Sequence, residues 1–208
     1  MRRWLTIAAI AVGLALPALA FARAPVTQIQ VKDNFYTPEN PAARAFQTGP
    51  SFHWARAAGS GGAHNIVQDA GLFRSGGLTS GPINFTISAS AGSYHYYCQL
   101  HGSPAGGMAG VVKVRPIQNA APVGNPFTVI WADSGTKTGK AFDVRYKVGA
   151  GSWKIWKNDT AQFKAIFGLN NLPVTVMPGK TYQFQVRSEQ ATNHAKASGW
   201  SPALSVTP

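Results

Sequence analysis

Beyond residue 25 the large apolar side chains recur at every second position in short runs, and glycine or proline ends each run before it lengthens. Gln28-Ile-Gln-Val-Lys32, Ile83-Asn-Phe-Thr-Ile87, Tyr94-His-Tyr-Tyr-Cys98 and Gly110-Val-Val-Lys-Val-Arg115 all obey this rule. A period of two sends alternate side chains to opposite faces of an extended strand, so one face packs while the other meets water. The 22 glycines and 14 prolines are spread along 208 residues, and no stretch holds a helical repeat. An all-β chain is therefore expected, built as sandwich or barrel. A single helical turn is expected over Pro41 to Phe46. With 45% hydrophobic and 12% charged residues, the composition excludes a disordered or fibrous chain.

The alternation is interrupted once. Residues 117–126, between Pro116 and Pro126, lack large side chains apart from Ile117 and read as a connector. Residues 25–116 and 127–208 then form two modules, each large enough for a modest core. In the second, Phe127-Thr-Val-Ile-Trp131, Phe142-Asp-Val-Arg-Tyr-Lys147, Trp153-Lys-Ile-Trp156, Tyr182-Gln-Phe-Gln-Val-Arg187 and Leu204-Ser-Val206 resume the pattern.

Residues 1–24 differ from the rest of the chain. Met1-Arg-Arg-Trp precedes an uncharged apolar run from Leu5 to Ala20, which ends in Ala18-Leu19-Ala20. Such a stretch reads as a secretory signal peptide, cleaved after Ala20, with Ala24 as the alternative. The mature chain is expected to be exported, whether periplasmic, cell-surface or secreted, and to hold no transmembrane segment. Half of the formal charge of +12 is carried by the second half, with ten basic and four acidic side chains in residues 117–208. Its lysines are scattered rather than clustered, which argues against nucleic acid and reads as a solvated basic face, with an anionic surface or acidic protein as the alternative partner.

One cysteine excludes an internal disulfide and any multi-cysteine metal site. Its neighbours are informative. Cys98-Gln-Leu-His101-Gly-Ser-Pro-Ala-Gly-Gly-Met108 sets a thiolate, an imidazole and a thioether on a loop leaving a strand, and a second imidazole, His64, opens an upstream segment. Sulfur donors combined with imidazole suit copper, whose two oxidation states prefer different donors. Alternation puts Tyr94, Tyr96 and Cys98 on one inward face. Gly102, Gly106, Gly107 and Gly110 let the loop fold back. His53 and His95 are expected on outward faces, and His194 in an inert polar loop.

Ala63-His64-Asn65, Gly92-Ser-Tyr94-x-Tyr96-x-Cys98, and Cys98-x2-His101 followed by Met108 resemble a plastocyanin-like cupredoxin, a type 1 blue copper protein. The resemblance implies an eight-stranded Greek-key sandwich with one copper ion bound by His64, Cys98, His101 and Met108. It also implies that Asn65 ties the ligand loops together. The electron's door would be the His101 edge, within an apolar patch that Leu100, Pro104 and Ala105 supply. Six residues separate His101 from Met108, two more than is usual in that family. Residues 127–208 resemble a fibronectin type III domain through Trp131, Tyr146, Pro178-Gly-Lys-Thr-Tyr182-Gln-Phe-Gln-Val186 and Gly199-Trp-Ser-Pro202, with Tyr182 as its corner tyrosine.

These resemblances imply an exported one-electron carrier that is not an enzyme. Its partners would be redox proteins, and the β-sandwich would dock or space it. Five histidines with no His-x-His pair cannot build a trinuclear oxidase centre beside the blue site. The alternative is copper binding or storage, or surface adhesion, without electron transfer.

Overall fold

The computed structural model describes residues 26–44, 49–119 and 126–208. The signal-peptide segment, Phe46 and most of the expected connector lie outside the described residues. The alternating runs of the first half become eight strands: β1 (Val26–Val31), β2 (Tyr36–Thr37), β3 (Ala42–Arg44), β4 (Ser51–Arg56), β5 (Val67–Gln68), β6 (Asn84–Ser88), β7 (Gly92–Ser103) and β8 (Gly106–Arg115). They pair into two four-stranded sheets, in the orders β2-β1-β4-β6 and β3-β8-β7-β5. The inward residues of both sheets, among them Phe52, Trp54, Tyr96 and Val112, close a single apolar core around Tyr36 and Ile66. Cys98 and Met108 belong to that core.

The second half contributes β9 (Ile117–Gln118), β10 (Phe127–Ile130), β11 (Lys140–Val148), β12 (Lys154–Thr160), β13 (Lys164–Phe167), β14 (Tyr182–Gln190), β15 (Asn193–Ala197) and β16 (Leu204–Val206). One sheet runs β13-β10-β9; the other runs β12-β11-β14-β15, with β16 also on β14. Between them Trp131, Phe142, Phe167, Tyr182 and Phe184 form a separate core of tilted and edge-on rings. The Tyr182 hydroxyl accepts a hydrogen bond of 2.9 Å from the backbone N–H of Met177, tying the start of β14 to the chain before it. The fold is all-β, as the alternation requires.

Two local expectations are corrected. Residues 42–44 are a strand, not a helical turn, and pair in parallel with β8 from Ala42 opposite Lys113 to Arg44 opposite Arg115. A lone helical turn gains too few hydrogen bonds to offset its ordering, whereas the free edge of β8 supplies a ladder. The connector also begins as a strand, since Ile117 and Gln118 pair with Ile130 and Val129 of β10.

The halves are in contact. Ala91 N–H donates to the Trp131 carbonyl at 2.7 Å, and the backbones of Ser93 and Gly199 pair as an antiparallel bridge. Beneath them Tyr94, Ser90 and Ser188 share buried hydroxyl hydrogen bonds of 2.7–3.1 Å. Among the described residues no helix is long and apolar enough to cross a membrane.

A candidate metal centre

Cys98 leaves the inner face of β7 with its side chain wholly buried, in line with buried Tyr94 and Tyr96. The residues after it do not form the expected open loop, because β7 continues to Ser103 and returns as β8 from Gly106. The ladder pairs Tyr97 with Ala109 and then Gly102 with Gly107. Cys98 to His101 therefore bulge opposite the single residue Met108. Such a bulge re-aims side chains, and here it swings the His101 imidazole back over the thiol while Met108, 1% exposed, lies on the facing strand. The hairpin is tight enough that a Cβ at Gly107 would lie 2.6 Å from the His101 carbonyl oxygen, and one at Gly102 would lie 2.5 Å from that of Met108.

His64 arrives from another direction. Its backbone exchanges both hydrogen bonds with Thr79, at 3.0 and 3.1 Å. Arg56 braces the approach, donating from its guanidinium to the carbonyls of Gly61, Thr79 and Gly81 at 2.7–2.9 Å. The buried imidazole places Nε2 at 3.0 Å from the Gly61 carbonyl oxygen. That contact assigns the proton to Nε2 and leaves the Nδ1 lone pair facing the cysteine. Burial pushes the His64 pKa below its ordinary value, so the neutral, ligating form dominates near neutrality.

The donor atoms converge. Cys98 Sγ lies 3.8 Å from His64 Nδ1 and 3.6 Å from His101 Nδ1, and the two nitrogens are 3.1 Å apart. A first-row ion held about 2.0 Å from nitrogen and about 2.3 Å from sulfur requires neighbouring donors to stand about 3–4 Å apart. These three fit that requirement. They are drawn from two distant stretches and meet in an otherwise apolar core, where thiolate and imidazole donors suit a soft, redox-active ion.

Asn65 holds the two stretches together. Its Oδ1 accepts from the Gln99 N–H at 3.0 Å, its Nδ2 donates to Gln99 Oε1 at 2.8 Å, and its carbonyl accepts from the Tyr36 hydroxyl at 2.7 Å. Arg74 adds a 2.7 Å hydrogen bond to the same Gln99 oxygen. The bracing by Arg56, Gln99 and Arg74 had no signature in the sequence, because each acts on backbone or amide groups distant along the chain. Outside the buried core, His101 is half-buried and Leu100 beside it is 56% exposed, with Pro104 and Ala105 exposed at the hairpin tip.

The other histidines stand apart from the cluster. His95 Nδ1 lies 2.8 Å from the Asp69 carboxylate on the outer face of β7. His53 Nε2 is buried without a hydrogen-bond partner. His194, expected to be inert, sits in β15 with its Nδ1 against Asp159 and Glu189.

No protein-family model matches the chain, and no curated protein is similar to it. Among solved structures it is similar to a chain of one described as "Cytokine receptor complex - Crystal form 1A". That likeness has 15% identity and a TM-score of 0.33, and covers 72% of this chain and 87% of the other. Nothing is inferred from so slight a likeness.

Proposed function

We propose that the chain is a type 1 copper protein that carries single electrons outside the cytoplasm, with the first half holding the ion and the second acting as a docking or spacing module. The observation that carries this reading is the convergence of His64 Nδ1, Cys98 Sγ and His101 Nδ1 at the edge of the apolar core. Those three residues would hold the copper, with Met108 on the facing strand as the weak fourth donor. Copper supplies the one-electron couple; the protein supplies the geometry and excludes water.

The chain's own residues favour a site that changes little between redox states. Asn65, Gln99 and Arg56 hold both donor stretches by hydrogen bonds to backbone and amide groups. The proton held at His64 Nε2 by Gly61 keeps Nδ1 free. His101 is the donor nearest solvent, and exposed Leu100 gives its surroundings an apolar face against which a redox protein can seat. An ion held by His64, Cys98, His101 and Met108 would keep no position for a substrate, which favours a carrier over an enzyme. Export would follow from residues 1–24 acting as a signal peptide.

The test is an optical and electron paramagnetic resonance spectrum of the copper-loaded mature protein. An intense visible band that a mild reductant bleaches reversibly is expected, absent in Cys98→Ser. Met108→Leu should keep the colour and raise the potential, since the axial donor tunes it. Copper that binds without colour, or that will not cycle, replaces electron transfer with copper binding or storage.

A further inference from the structure

In the second half, the sheet β12-β11-β14-β15 carries a polar cluster that the copper reading does not use. Asp159 near the end of β12, Glu189 near the end of β14 and His194 in β15 place one donor atom each within 4.8 Å of one another. His194 Nδ1 stands 2.8 Å from Asp159 Oδ1 and 2.9 Å from Glu189 Oε2. One ring nitrogen carries at most one proton, which the two carboxylate oxygens must share. The chain meets there through two irregularities in the ladder, at β11 around Asp143 and between Glu189 and Gln190 in β14.

The inner carboxylate of the cluster is buried and only partly hydrogen-bonded. The Glu189 carboxylate is 0% exposed, and its Oε1 makes no hydrogen bond. The nearest cation, Arg187, has Nε 3.0 Å from that oxygen, yet it directs Nε at 2.8 Å and a second nitrogen at 2.7 Å to Asp143 Oδ2. Asp143 Oδ1 is taken by the Asp159 N–H at 2.9 Å. The Asp159 carboxylate gives Oδ2 to the Asn158 amide at 2.6 Å, which turns Oδ1 towards His194. Asp143 and Arg187 cancel, so Asp159 and Glu189 leave two negative charges beside one imidazole. His194 is 46% exposed, which opens a path from solvent.

We propose that Asp159 Oδ1, Glu189 Oε2 and His194 Nδ1 form a second metal site, for a zinc-class divalent cation. One imidazole and two carboxylates are a borderline-hard set that suits zinc, with water completing the coordination. Arg187 and Asn158 orient the two carboxylates, as hydrogen-bonded neighbours of metal ligands do. The site lies outside the copper cluster and stands or falls separately from it.

The test is zinc titration of the full mature chain by calorimetry, in a Cys98→Ser/His101→Gln background that removes two donors of the first cluster. One zinc per chain is expected. His194→Ala, at an exposed position, should weaken that binding about 10-fold or more. Asp159→Asn should do the same while suiting the left-handed backbone there (φ 49°). In the otherwise unsubstituted chain, each variant should lower the zinc count by one. No zinc bound in the background chain, or binding unchanged by both variants, overturns the proposal.

Discussion

Asn65 makes three hydrogen bonds that join His64's stretch to Cys98's and to Tyr36, and a fourth, at 3.3 Å, to the Gly76 carbonyl. Buried amides that lose such partners cost about 1–3 kcal/mol. Asn65→Ala is therefore expected to lower stability by about 2 kcal/mol and to weaken copper binding, because Gln99 N–H loses its acceptor one residue from the thiol. Urea unfolding with and without copper checks both; equal stability with unchanged copper affinity would show that Asn65 is not the tie. The sequence placed Asn65 beside a donor and a family resemblance suggested its role. Its partner Gln99 could be found only in three dimensions.

At the scale of the hairpin, β7 and β8 bring Cys98, His101 and Met108 together by a bulge rather than by a free loop. Gly107 has φ 82° and no room for a side chain, since a Cβ would meet backbone and not a movable group. Gly107→Ala is expected to destabilise the hairpin by about 2 kcal/mol and to shift His101. A broadened or shifted visible band, together with a lower thermal midpoint, would report it; an unaltered spectrum and midpoint would mean the hairpin adapts freely. Gly106, with φ 146° and open space around it, should be more tolerant of space though not of backbone.

For the whole molecule the junction decides how the two halves behave. The Tyr94 hydroxyl donates to the Ser90 carbonyl at 2.9 Å and lies 2.9 Å from Ser188 Oγ across the junction, all buried. Tyr94→Phe keeps the ring and deletes these bonds, so a loss of about 1–2 kcal/mol is expected. Calorimetry is expected to show one transition for the parent and two for the variant as the halves uncouple; one unshifted transition in both would contradict that. Lys140 donates to Ser90 Oγ at 3.3 Å from the second half, and burial pushes its pKa down to about 8 against an ordinary 10.5. Below pH 8 both folded and unfolded chains hold this proton, and the folded chain bears the full cost of a buried charge. Between pH 8 and 10.5 the unfolded chain holds more of it, so stability rises with pH. Lys140→Met should be more stable than the parent at about pH 7, by about 2 kcal/mol, and lose most of that margin by about pH 10. Denaturant unfolding of both chains at the two pH values measures it; a margin independent of pH would remove the buried charge from the account.

Alternation along the chain was enough to determine strands, because a side-chain period of two is local and needs no partner to be read. It placed β1, β6 and β8 and the inward face of β7, and with the glycine breaks it required an all-β molecule. The residue types around Cys98 determined which atoms are chemically suited to a soft ion, since donor softness belongs to the side chain itself. Pairing was decided elsewhere. The residues at 42–44 became a strand because β8 had an edge to offer, and Ile117 and Gln118 joined β10 for the same reason. The meeting of Asp159 and Glu189 with His194, the one of the three read from sequence and read as inert, depends on ladder irregularities in strands far apart along the chain. Contacts between distant residues carry no periodic trace, because their cost and gain are settled only when the sheets have formed.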